Sequence, residues 1–283
     1  MKTLGFIGSG NMGSAMIGGI VQSGLVKAED ITVSDLSQVA LDKVKEEFGV
    51  NTTTDSKVAV TNSDVVIVAL KPNICEKALT PLKELIDANK IIVSIAAGKT
   101  IESLESFIGS DKKIVRVMPN TPALVGEGMS ALCKNSNVTD EELNMIKALF
   151  ESFGEAEIVS EYLMDTVTGI SGSSPAYVFM FIEAMADAAV LAGMPRQQAY
   201  KFASQAVMGS AKMVLETGKH PGELKDMVCS PAGTTIEAVK VLEEEGFRAA
   251  VIKSIVACID KSKDMSKKPI SYTDLTQRTK WIR

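Results

Sequence analysis

The 283-residue sequence predicts an α/β half built on a parallel sheet, followed by an all-helical half. Three observations carry this reading. Short apolar runs alternate with helical ones through the first 160 residues, the rhythm of a sheet covered by helices. A glycine-rich turn follows the first of those runs. From about residue 161 the periodicity is helical throughout. A first domain is therefore placed at 1–160, a helical domain at 161–264, and a disordered or appended tail at 265–283.

The predicted strands are LGFIG at 4–8, ITVSD at 31–35, DVVIVAL at 64–70, KIIVSIA at 90–96 and KIVRVM at 113–118, with a weaker one around Val50. Helices are predicted at about 11–24, 37–48, 55–62, 72–87 and 100–109. Directly after the first strand stands Gly8-Ser9-Gly10-Asn11-Met12-Gly13, followed by the apolar helix SAMIGGIVQSG. Between a strand and a helix, with a second strand ending about 20 residues on, this G-x-G-x-x-G is a strong dinucleotide signal and predicts a Rossmann-type domain. Gly8 permits the tight turn, Gly10 lets backbone approach a pyrophosphate, and Gly13 lets helix and sheet pack closely, while the helix N-terminus accepts phosphate charge.

Asp35 ends the second strand, where a carboxylate can bond both adenosine ribose hydroxyls, which favours NAD over NADP. No Arg or Lys adjoins it, since Leu36, Ser37 and Gln38 follow, although Lys43, Lys45 or Lys57 can reach in from elsewhere. ALKP at 69–72 and IAAG at 95–98 each leave a strand end, the side of such a sheet on which ligands lie. Lys71 reads equally as a solvated surface charge or as a group beside cofactor or substrate.

Helices in the second half are predicted at about 161–170, 175–192, 195–217, 221–228, 234–244 and 247–264. The most apolar stretch, 175–193, contains Glu183 and Asp187, so it reads as a core or interface helix rather than a membrane span. Phe247, Val251, Ile255 and Ile259 repeat on one stripe that wants a partner, and so many long apolar helices in a short segment predict a homodimer. The stretch KKPISYTDLTQRTKWIR at 267–283 lacks helical periodicity, and no function is placed on it.

Between two of these helices lies CSPAGTT at 229–235. Thr234 and Glu237 match a T-x-x-E capping box, so taken alone the turn reads as a capped helix start. A second reading is that Ser230, Thr235, rigid Pro231 and bare Gly233 expose backbone N–H groups at a positive dipole end to receive an anion.

The charge of −5, from 35 acidic and 30 basic residues without long single-sign blocks, argues against nucleic acid or an anionic membrane as partner and for a small molecule. Cys75, Cys133, Cys229 and Cys258 lie far apart without C-x-x-C spacing, which suggests reduced cytoplasmic thiols rather than a disulfide or zinc framework. The opening MKTLGFIGSG turns glycine-rich too early for a signal peptide.

A nicotinamide cofactor implies hydride transfer, and the accompanying acid is hard to find. The single histidine, His220, precedes Pro221 at a helix start, where a loop or capping role is at least as natural as catalysis. Without a Ser/His/Asp set, zinc ligands or an evident lysine acid, an unactivated ketone lacks a proton donor. A protonated imine is already electrophilic, and one that carries a carboxylate needs an anion cradle such as SPAGTT.

These residues resemble the pyrroline-5-carboxylate reductase family. The resemblance runs from Met1 to about Lys263 and rests on FIGSGNMG at 6–13, ALKP at 69–72, SIAAG at 94–98, MPNTP at 118–122, SGSSPAYVF at 171–179 and SPAGTTIEAV at 230–239. It implies reduction of 1-pyrroline-5-carboxylate to L-proline by NADPH or NADH, and a helical domain that pairs in a homodimer, often within a ring of dimers. It implies that Ile7, Gly8, Ser9, Gly10, Asn11, Met12, Gly13, Ala69, Leu70, Lys71, Pro72, Ile95, Ala96 and Ala97 line the cofactor, with Asp35 and Ser56 at the adenosine ribose. Ser230, Gly233, Thr234 and Asn120 fall to the substrate, Thr235 to its ring nitrogen, and Thr235 and Lys71 to catalysis. The chain departs from the family at Ala232, where glycine is common and where the turn survives only if φ stays negative. It departs again at Asp35, where many NADPH-preferring relatives carry a small polar residue. Two alternatives stay open: a hydroxyacid or ketoacid oxidoreductase using Lys201 or Lys212, and a dinucleotide-sensing protein without turnover.

Overall fold

The computed structural model describes residues 3–267. Residues 174–257 form one compact unit, and the rest of the described chain forms another. In the larger unit the strands are β1 (Leu4–Ile7), β2 (Ile31–Ser34), β3 (Asn51–Thr53), β4 (Val65–Val68), β5 (Ile91–Ser94), β6 (Lys113–Met118), β7 (Gly128–Lys134) and β8 (Gly154–Ile158). They form one sheet in the order β3-β2-β1-β4-β5-β6-β7-β8. The predicted strands lie at their predicted places, and β7 and β8 extend the sheet beyond the prediction. β7 runs antiparallel to β6, because the connection from 119 to 127 is too short for a crossover helix.

The helices of this unit are α1 (Asn11–Ser23), α2 (Gln38–Phe48), α3 (Ser56–Thr61), α4 (Cys75–Leu79), α5 (Ile101–Ile108), α6 (Asp140–Glu151) and α7 (Met164–Val167). Alternate strand residues feed opposite faces, as the two-residue period requires. Phe6, Val65, Ile67, Ile91 and Val93 pack with Met16, Ile17 and Ile20 of α1, Leu41 of α2 and Ile146 of α6. Ile7, Val66, Val68 and Ile92 pack with Val60 of α3, Leu79 of α4 and Leu104 of α5. Both faces of β1, β4 and β5 are buried, which explains their apolar runs.

Two predicted helices take other forms. The stretch 72–87 becomes α4 followed by a 3-10 turn at Thr80–Leu85, where Pro81 has no N–H to continue an α-helix. The stretch 161–170 becomes a 3-10 turn, α7 and a π-helical turn at Thr168–Gly172. There Thr168 Oγ1 donates to Met164 O (2.9 Å) and Ser171 Oγ to Val167 O (3.1 Å), bonds that bend a helix.

The second unit contains α8 (Ser174–Leu191), α9 (Arg196–Thr217), α10 (Pro221–Val228), α11 (Thr234–Glu244) and the start of α12 (Phe247–Lys267). Asp187 lies on an exposed helix edge and pairs with Arg196 at 2.5 Å. His220 is a cap, its Nδ1 accepting from Gly222 N at 3.1 Å. By length and composition alone, the helical stretch Glu161–Leu191 could cross a membrane. Apolar side chains are widely open in this unit: Phe179 is 62% exposed, Met180 69% and Leu215 82%. Of the predicted tail, residues 265–267 complete α12 and 268–283 lie outside the described residues.

Candidate functional site

The parallel register brings four strand ends to one level. Ile7 stands beside Ser34 and Val68, and Val68 beside Ser94. The chain leaving each strand is tied to its neighbour: Gly8 N donates to Ser34 O (2.7 Å), Ala69 N to Ile7 O (2.9 Å) and Ile95 N to Val68 O (3.2 Å). The loops at 8–13, 35–37, 69–72 and 95–98 therefore share one edge of the sheet, where an open α/β fold binds its ligand.

The three glycines of the first loop meet different demands. Gly8 has φ +102°, and a β-carbon there would stand 2.4 Å from Ala69 O. A β-carbon on Gly13 would stand 2.6 Å from Gly8 O, so helix and strand touch through bare backbone. Nothing lies within 4 Å of a β-carbon built on Gly10. This open place adjoins the N-terminus of α1, which has neither a side-chain cap nor an acidic residue in its first turn. The loop thus fits a pyrophosphate, with unpaired amides and a positive dipole end facing open space. A groove of about 670 Å³ runs from Ser9, Gly10 and Asn11 along α1 to Phe153, with Lys43 on its wall.

Asp35 stands at the end of β2 with its carboxylate engaged. Oδ2 accepts from Ser9 N (2.7 Å) and Ser9 Oγ (2.9 Å), and Oδ1 accepts from Ser37 N (2.9 Å). Burial raises its pKa, but the bonds from Ser37 and Ser9 outweigh that and hold the carboxyl below the ordinary aspartate value. Ser34 Oγ lies 3.0 Å from Phe6 O and 3.2 Å from Ser56 Oγ, which places Ser56 beside the same strand end.

In the ALKP loop Lys71 is exposed, and its carbonyl accepts from Ile74 N (3.1 Å) and Cys75 Sγ (3.4 Å). Burial pushes the Cys75 thiol up to about 11. The IAAG loop leads into α5, whose first amide, Ile101 N, donates to Glu161 Oε1 (2.8 Å). The same oxygen accepts from buried Arg116 (3.1 Å). No sequence signal marked Arg116 or Glu161, because the two are joined only by the fold. Asn120 is committed to backbone: Oδ1 accepts from Met129 N (2.8 Å), and Nδ2 donates to Ser171 O (3.1 Å). Its side chain secures β7 and the π-helical turn.

The turn at 229–235 lies in the helical unit. The expected Thr234–Glu237 capping box is absent. Gly233 holds the cap position of α11 without a side-chain cap bond, so Thr234 is already inside the helix. Ala232 has φ +53°, against the expected negative value, and is the one non-glycine residue in the left-handed region among those described. The turn is preserved at a strain cost of about 1 kcal/mol. Gly233 N donates to Ser230 O (3.0 Å), and a β-carbon on Gly233 would meet Ser230 Oγ at 2.4 Å. Bare glycine thus lets the Ser230 hydroxyl approach the helix N-terminus, where Thr234 and Thr235 begin the first turn.

Residues 3–98 match the family model for NADP oxidoreductase, coenzyme F420-dependent, and residues 161–265 match that for pyrroline-5-carboxylate reductase dimerisation. The chain is 54% identical to the pyrroline-5-carboxylate reductase of Escherichia coli (strain K12) over 266 residues, 94% of this chain and 99% of that protein. Among solved structures, the Plasmodium falciparum pyrroline carboxylate reductase with NADP bound superposes with a TM-score of 0.86. It is 35% identical, over 94% of this chain and 98% of that one. The pyrroline-5-carboxylate reductase of Coxiella burnetii superposes with a TM-score of 0.88 at 34% identity, over 94% and 99% of the two chains.

Proposed function

Since the chain belongs to the pyrroline-5-carboxylate reductase family, we propose that its residues reduce 1-pyrroline-5-carboxylate to L-proline at the expense of NAD(P)H. The carrying observation is the fit between the open amide cradle at Gly10 and a pyrophosphate, on a sheet edge matched to a family of NADP oxidoreductases. When bound, NAD(P)H supplies the hydride that the imine carbon takes.

The residues supply binding and orientation. Ser230, with the backbone of Gly233 and Thr234, receives the substrate carboxylate at the N-terminus of α11, and Thr235 meets the ring nitrogen. That nitrogen gains its proton before transfer, so the product leaves as a neutral amine centre and the site needs no strong acid. Lys71 stays exposed beside the cofactor loop. Asn120 serves the substrate by holding β7 and the turn at 168–172 in place.

The first domain, 1–160, is assigned to the nucleotide, and 161–264 to pairing and substrate. The exposed apolar side chains of α8, α9 and α12 support a homodimer, and we extend this to a ring of dimers in the cytoplasm without nucleic-acid or membrane partners. The acidic balance of the chain supports that extension.

Addition of 1-pyrroline-5-carboxylate to purified protein with NADH or NADPH is expected to bleach the reduced coenzyme and yield proline. Absence of turnover with both coenzymes would overturn the assignment.

A further inference from the structure

The carboxylate of Asp35 carries an inference about coenzyme choice that rests on the dinucleotide reading above. An ionised carboxylate offers about four acceptor positions. Three are filled, by Ser9 N, Ser9 Oγ and Ser37 N. The two amides belong to backbone that the sheet edge and the start of α2 hold in place. The Ser9 hydroxyl can turn away by rotation about a single bond. Its departure, beside the lesser approach of Leu36 N, opens Oδ2 to a hydroxyl of the ribose diol.

The residues that follow Asp35 in sequence are neutral. Leu36, Ser37 and Gln38 follow it, and Ser56 approaches through Ser34. Asp55 adds a second carboxylate at the cap of α3, where it accepts from Lys57 N at 2.9 Å. Among the described residues, the ion pairs formed include none to Asp35. A 2′-phosphate would bring a dianion against this carboxylate, with Lys43 on the groove wall and Lys57, next to Ser56, as the cations that compete for it.

We propose that Asp35 selects NADH over NADPH, taking the adenosine ribose diol in place of the Ser9 hydroxyl and excluding the 2′-phosphate by charge. Asp35 is then a specificity-determining residue for the reaction.

Coenzyme binding is measured by fluorescence titration of the full chain with NADH and with NADPH, without imine present. The expected result is NADH binding about tenfold or more tighter than NADPH. In Asp35→Ser the ratio should fall to unity or invert, and in Asp35→Glu it should still favour NADH. Equal or tighter binding of NADPH by the unaltered protein overturns the proposal, a result that needs no variant to fold. So does a folded Asp35→Ser protein with an unchanged ratio, or a Lys43→Ala protein in which NADPH binding collapses while the NADH preference was never present. Failure to bind either coenzyme overturns the dinucleotide reading itself, and so separates the two failures.

Discussion

Arg116 and Glu161 meet across the larger unit through one oxygen: Glu161 Oε1 accepts both the Arg116 guanidinium (3.1 Å) and the first amide of α5, Ile101 N (2.8 Å). The Arg116 side chain is 6% exposed and that of Glu161 37%. Replacing Glu161 with Ala strands a buried guanidinium and an orphan helix amide together. A loss of about 2 kcal/mol is expected, less than for a fully buried pair because Glu161 is partly solvated. Urea unfolding should show a lower midpoint at unchanged slope, with Glu161→Gln in between, since its amide oxygen still accepts from Ile101 N.

Gly8 and Gly10 separate folding from binding. Gly8→Ala drives a methyl against Ala69 O in a φ region hostile to alanine, and should cost about 2 kcal/mol or more in thermal or urea unfolding. Gly10→Ala meets no protein atom and should unfold as the parent does. Its methyl takes the space of the pyrophosphate, so the coenzyme KM should rise about tenfold or more, read by steady-state kinetics.

Thr235→Ala should lower kcat/KM for the imine by about tenfold, the weight of one lost hydrogen bond, with coenzyme affinity unchanged in fluorescence titration. Equal loss of both would remove Thr235 from the substrate side.

Ala232→Gly should raise Tm slightly. Relief of about 1 kcal/mol of left-handed strain is partly offset by the greater freedom of glycine in the unfolded chain. Ala232→Val should lower Tm and raise KM for the imine, since a branched side chain pulls the turn out of that region.

Alkaline stability follows from two buried thiols. Burial raises Cys75 from the ordinary value of 9.0 to about 11 and Cys133 to about 12. The unfolded chain releases these protons first, so stability present below pH 9 should decline as pH rises toward 11 to 12. Urea midpoints across that window should fall less steeply in Cys75→Ala and Cys133→Ala. In the native protein at neutral pH both thiols should resist alkylation, checked by peptide mass mapping.

Much of this architecture was legible because the strands at 4–8, 64–70 and 90–96 are buried on both faces and so appear as continuous apolar runs. β7 and β8 escaped for the opposite reason. GMSALCK carries few branched residues, and GEAEI presents two glutamates suited to a sheet edge. α6 carried a readable signal in Thr139-x-x-Glu142, a capping box that the structure forms in full. The same pattern at Thr234-x-x-Glu237 forms none, since the chain enters α11 from Gly233 behind a left-handed Ala232. Local sequence cannot tell these two apart, because backbone angles before the helix decide the outcome. The glycine loop, Asp35 and the SPAGTT turn were visible as motifs. The tie between Arg116 and Glu161 was not, because it depends on distant segments meeting.

The open apolar face of the helical unit acts in time as well as in space. Until a newly made chain finds its counterpart, Phe179 and Met180 offer themselves to any other apolar surface. Pairing is second order in chain, so very dilute preparations leave the helical half without its cover, while crowded refolding mixtures favour promiscuous association. Yield should therefore peak at an intermediate protein concentration, and the durability of the enzyme belongs to the assembled population more than to the single polypeptide.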